Sequence, residues 1–188
     1  MRTALLMATV ISSLAFPAGA WAVEDESKPT KVELAGGKLV LMAPKEWKLE
    51  KSRSSMIQHE FSAPADAKEG AATARITFST AGGSISANID RWKGQFENVD
   101  KDKLKVEKFE AGKQTVHLVD IAGDFNESMG GGPFAPGKIV KRADYRMIGA
   151  IIETQGLGQH FIKLVGPQDV VKPLADGMKK MLQDLVSK

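Results

Sequence analysis

The chain has 188 residues, with 26 Lys and Arg against 23 Asp and Glu for a formal net charge of +3. A balance this close, with bases and acids interleaved as in KEWKLEK and KDKLKVEKFE, excludes the basic stripe on which nucleic-acid binding depends. The absence of Cys excludes disulfides, thiolate metal sites and cysteine nucleophiles, so the fold must stand on its hydrophobic core alone.

Residues 1–22 read as a cleavable signal peptide. Arg2 gives a short positive start, ALLMATVISSLAF is an apolar run too short for a typical membrane span, and Ala20-Trp21-Ala22 has the small-x-small cleavage pattern. Cleavage after Ala22 removes only Arg2 among the charged residues and leaves 166 residues with a net charge of +2. No further span is expected after cleavage, and the address is the bacterial periplasm or the cell exterior. Residues 23–29, VEDESKP, form a flexible lead, and 30–188 are long enough for one domain.

In chain order, residues 31–35 and 38–43 predict a hairpin turning at Gly36-Gly37, followed by an extended EWKLEK. Residues 54–64 and 72–82 alternate as strands, the second with Ala74, Ile76 and Phe78 on one face. A helix is expected over residues 84–99, because Ile85, Ile89, Trp92 and Phe96 recur at spacings of four, three and four. Ser84 or Ser86 is its N-cap, and Gly94 weakens it by about 1 kcal/mol relative to Ala. VEKFEAG and KQTVHLVDIAGDFN predict a hairpin about Gly112. KIVKRADYRMIGAIIET is apolar on both faces from Met147 onward, as a central strand requires, and QHFIKLVG is the next strand. A closing helix carries Val171, Leu174, Met178, Met181 or Leu182, and Leu185 on one stripe, with Pro173 expected in its first turn. Strands linked by hairpins, with one helix amid them and one after, predict an α+β fold: a mainly antiparallel sheet with two helices packed on it.

GGKLVLMAPKEWK, a strand ending in Pro with Trp close behind, resembles the opening of the PsbP-like superfamily, which includes the extrinsic photosystem II protein and a Ran-binding relative. The order of helix, long hairpin, IIET, HFIKLVGP and closing helix is similar as well, over most of residues 30–188. The chain also resembles a family of small exported bacterial proteins of unknown function. The resemblance implies an accessory or binding role and carries no catalytic residues across.

GPFAPGKI, residues 132–139, matches a phosphate-binding loop in all but its last position. Pro133 and Pro136 remove backbone donors, Ile139 has no hydroxyl and a strand follows instead of a helix, so no nucleotide and no cofactor is expected. The three His, at 59, 117 and 160, show no metal-ligand spacing. Asp120 and Asp124 share a strand face and are weak candidates for a hard cation, or, with a His, for a metal-dependent hydrolase. The preferred expectation is a non-enzymatic binding or accessory module that meets an unidentified protein or small ligand in the periplasm. Its contact surface is the loop 126–138, with Pro133 and Phe134, together with Tyr145 and Arg146. A carrier of a small apolar ligand between sheet and helix is the further alternative.

Overall fold

TKVEL and LVLMA pair as an antiparallel hairpin, β1 (Thr30–Leu34) and β2 (Leu39–Ala43). The computed structural model describes residues 28–52, 54–102, 104–130 and 137–188. The first turn is wider than the two-glycine turn expected: Ala35, Gly36 and Gly37 all take left-handed backbone, and Leu34 pairs with Leu39 across a four-residue loop. β3 (Lys48–Glu50), β4 (Ile57–Ala63) and β5 (Ala74–Thr80) follow, then α1 (Ile85–Lys93), β6 (Phe96–Glu97) and β7 (Lys105–Ala111). The two longest strands come next, β8 (Gln114–Met129) and β9 (Lys138–Thr154), then β10 (Gly158–Pro167), α2 (Gln168–Gln183) and β11 (Val186–Ser187).

Every strand pairing is antiparallel. The large sheet runs β3-β4-β5-β10-β9-β8-β6, with β7 also on β8, and a small sheet runs β1-β2-β11. The fold is thus α+β, with mainly antiparallel sheets and two helices packed on them.

β9 explains the layering. Its residues alternate between two cores, so Ile148, Ala150 and Ile152 face one way and Met147 and Ile151 the other. The first core joins these to Ile76, Phe78, Ile162 and Leu164, under the small sheet and the Val171, Leu174, Met178, Met181 and Leu182 stripe of α2. The second joins Met147 and Ile151 to Val119, Ile121 and Phe161, under Ile89 and Trp92 of α1. The two helices therefore cover opposite faces of the large sheet.

Both helices end or run differently from the sequence pattern. Ser84 caps α1, its hydroxyl accepting from the Ala87 amide at 3.2 Å, but Gly94 ends the helix, so Phe96 is not on the helical stripe. Phe96 instead enters β6 and tilts against Phe125 at 5.1 Å between ring centroids, which gains aromatic packing that another helical turn would not. Pro173 is the sixth residue of α2, beyond the first turn, and offers no amide to the Asp169 carbonyl. The helix continues through it because its five core residues are buried, and tertiary burial outweighs one missing hydrogen bond. Leu185, expected on the same helix, is buried just past its end and leads into β11.

An added residue interrupts the β8–β9 ladder. Gly123 pairs with Tyr145 but Phe125 pairs with Arg142, so Ala143 and Asp144 oppose Asp124 alone, with Asp144 in left-handed backbone at φ 55°. Beyond this bulge the two strands continue as a ribbon to Met129 and Lys138.

Gly149 is the closest approach of α1 to the sheet. A Cβ there would lie 2.5 Å from Cζ3 of Trp92, a side chain only 3% exposed. Gly149→Ala is expected to destabilise the fold by about 2–3 kcal/mol in urea unfolding. Adding Trp92→Phe should recover part of that loss; strictly additive losses would show that the two positions do not compete for one space.

Candidate functional site

The α2 face of the large sheet is closed by a helix and a second sheet, whereas the described residues cover only part of the α1 face. On β5 the residues between Ala74, Ile76 and Phe78 are Arg75 and Thr77, and these half-buried polar side chains point to the α1 side. Lys163 of β10 stands beside Thr77, and Tyr145 of β9 lies on the same face. With Phe125, Glu127 and Ser128 of β8 and with Gln95 just after α1, they line a basin of about 330 Å³.

Lys163 is its central group. Its ammonium donates to Oε1 of Gln95 at 2.9 Å and lies 6.0 Å from the Trp92 ring and 5.9 Å from the Phe125 ring. Among the described residues no carboxylate pairs with it. Burial, with Arg75 and Arg91 nearby, pushes its pKa down to about 8. The two rings attract the cation, at about 0.5–2 kcal/mol for each such contact, but do not neutralise it.

Two other cations on this side have an acid partner. Arg75 donates through Nε to Glu60 at 2.8 Å, and the Glu60 side chain is only 2% exposed. Arg142 donates through Nε to Glu127 at 2.9 Å, a contact that raises the guanidinium pKa. Phe125 stacks on Tyr145 at 6.1 Å and 9° between planes, so an aromatic wall continues from Phe96 to the phenol. Among the described residues that line the basin, Lys163 is the cation without an acid partner, beside the Arg75 guanidinium, hydroxyls, an amide and a phenol.

The sequence-predicted residues fall into separate places. Tyr145 lines the basin, but Arg146, its neighbour along an extended strand, points to the α2 face. There Arg146 donates through Nε and Nη2 to both oxygens of Asp120, at 2.8 and 2.6 Å, and this hydrogen bonding raises its pKa. Asp124 accepts from Nδ2 of Asn98 at 2.7 Å. His117 sits 3.3 Å from Glu153, His59 lies by the Glu33 carbonyl, and His160 is buried with only 2% exposure. Among the described residues no group of three or more His, Asp or Glu could hold a metal ion. Pro133 and Phe134 lie outside the described residues; Ser128 and Met129 on β8, and Lys138 and Ile139 on β9, lead into their loop.

No family model and no curated protein matches the sequence. Among solved structures, the solution structure of cyanobacterial PsbP (CyanoP) from Synechocystis superposes over 92% of this chain and 100% of that chain, with a TM-score of 0.52 at 7% identity. The chain has a PsbP-like fold. The crystal structure of LpqN, involved in cell envelope biogenesis of Mycobacterium tuberculosis, covers 85% of this chain and 90% of its own at a TM-score of 0.43 and 14% identity. No helix among the described residues is long and apolar enough to cross a membrane.

Within this PsbP-like fold, the group that sequence reasoning missed is Lys163. Its signal was present: one Lys inside the apolar run HFIKLVG of a strand whose neighbours are central. Arg75 gave the same kind of signal inside ARITF. Neither stands out without the strand order, which places residues 75 and 163 on adjacent strands.

The lowered pKa fixes a sign for stability. The folded chain releases the Lys163 proton near pH 8, whereas the unfolded chain keeps it to the ordinary value of 10.5. Between those values the unfolded state holds more protons, so this group's contribution to stability rises with pH across the window and is lost as pH falls to 8. Lys163→Met is expected to gain about 2 kcal/mol at pH 7 in urea unfolding. The gain should shrink between pH 8 and 10, and a constant or growing difference would contradict a desolvated ammonium.

Proposed function

We propose that the chain is an exported, non-enzymatic binding module that takes its ligand in the basin around Lys163. The observation that carries this reading is the Lys163 ammonium, set against Trp92, Phe125 and Gln95 at an open basin, with no carboxylate paired to it among the described residues. A desolvated charge with no acid partner weakens a fold, and a concave site with a few convergent polar groups is where a ligand repays that loss.

Export is supported by the leader pattern of residues 1–22. A binding or accessory role, as against catalysis, is supported by the PsbP-like resemblance and by the commitments of the acids. Asp120, the first candidate for a hydrolytic metal, has both oxygens engaged by Arg146. Hydroxyls and charges line the basin, which favours a polar ligand over a purely apolar one. Tyr145 belongs to this surface, and the loop with Pro133 and Phe134 is proposed as an added contact because the strands that lead into it carry Glu127 and Ser128 of the basin wall.

The test is native mass spectrometry of the full chain recovered gently from the exported fraction of its host. Bound mass is expected on the wild type and absent from Thr77→Phe, which fills the basin, at an unchanged far-ultraviolet dichroism spectrum. Phe134→Ala should lower occupancy severalfold if the loop contributes. A bare wild type, or bound mass that survives Thr77→Phe, would sink the reading.

A further inference from the structure

Three features on the α1 face define what the basin can hold. The first is charge. Glu60 accepts from Arg75 on the neighbouring strand and Glu127 from Arg142 across the ribbon, each through the guanidinium Nε. From α1, Arg91 adds positive potential, and Tyr145 from β9 contributes a phenol. Among the described residues that line the basin, Lys163 is the cation with no acid partner, so a ligand's negative group is drawn to it.

The second feature is the arrangement of donors. Thr77 stands directly across from Lys163 on the neighbouring strand, and Thr73 and Ser128 lie at the rim. An ammonium beside hydroxyls suits an acceptor with two oxygens on one centre. The third is the apolar wall, where Phe125 stacks on Tyr145 and Val165 follows Lys163 along the same face of β10. This wall suits a hydrocarbon body attached to the acceptor. A phosphate dianion fits less well, because it has no apolar part to lie along this wall.

We propose that the basin binds a small organic monocarboxylate, its carboxylate against the Lys163 ammonium and the Thr77 hydroxyl and its apolar body along Phe125, Tyr145 and Val165. The inference rests on the binding-module reading and narrows it to one ligand class. Bound carboxylate restores the counter-charge that Lys163 lacks, so binding favours the protonated lysine and takes up protons as pH passes through 8.

Benzoate and hexanoate serve as probes, with benzamide as the neutral match of benzoate and inorganic phosphate as the competing anion. Titration of the full chain, followed by calorimetry and by amide NMR, is expected to show saturable binding of a carboxylate. Shifts should centre on Gln95, Tyr145 and Lys163 and spare Asp120 and Arg146 on the other face. Affinity should fall at least tenfold in Lys163→Met and also on raising the pH from 7 to 10, and measured proton uptake should vanish in the variant. Thr77→Val, which keeps the ammonium and the shape, should weaken binding severalfold and decides the matter if Lys163→Met does not fold. No saturable response to either acid, equal binding by Lys163→Met, or preference for phosphate overturns the proposal. Binding of benzamide in preference to benzoate overturns it while leaving the basin as a binding site, so the two readings fail separately.

Discussion

The seating of Trp92 over Gly149 is the contact on which the rest of the molecule's asymmetry depends. It fixes α1 against the middle of the large sheet, and α1 has only nine residues, or about 14 Å of helix. Six strands from β3 to β8 span about 24 Å. One short helix cannot roof that width. On the other face the sixteen residues of α2, also about 24 Å long, combine with three more strands to close the core. One side of the sheet is therefore a sealed interior and the other an interior only where Trp92 reaches. Past that edge the same face mixes polar side chains, Arg75, Thr77 and Lys163, with Phe125, Tyr145 and Val165.

Lys163 stands on the boundary between these two regimes. Its stem leaves a strand with core residues on both faces, Phe161 on one and Ile162 on the other, and its head ends where the aromatic floor meets the open basin. Long amphipathic side chains commonly resolve such a boundary by reaching out to water. Lys163 instead bends to Gln95 and stays against two rings, which holds a charge in a place where hydration is poor. The aromatic residues thus have two duties, packing α1 and presenting the cation.

What could be read from the sequence follows from what is local. The period-two alternation of 74–78 and the doubly apolar run from Met147 gave the strand faces and the central place of β9, since both patterns are imposed by burial of the residues themselves. The end of α1 is not legible locally, because Phe96 fits a helical stripe and a strand face equally well; its partner Phe125, far along the chain, decides between them. Pro173 was placed by a local rule that a long-range core overrode. The basin was less legible than the fold. Its lining comes from four strands and the segment after α1, and no window of sequence contains more than a few of those residues. Tyr145 and Arg146 are expected together on the surface by the loop 126–138, yet a strand sends neighbours to opposite faces.

The bulge at Ala143 and Asp144 reaches beyond its own turn. Because it adds one residue to β9 and none to β8, it sets the parity of every side chain from Arg142 to Lys138. With it, Arg142 lies on the same side as Phe125 and reaches Glu127 on the basin wall. Loss of one codon here would remove the bulge and leave Arg142 opposite Phe125, whereas a regular ladder on the present sequence would turn the distal half of β9 over and bring Lys141 to the wall in place of Arg142. The bulge is thus the point at which the facing of the ribbon is set, apart from the two cores that the rest of β9 divides.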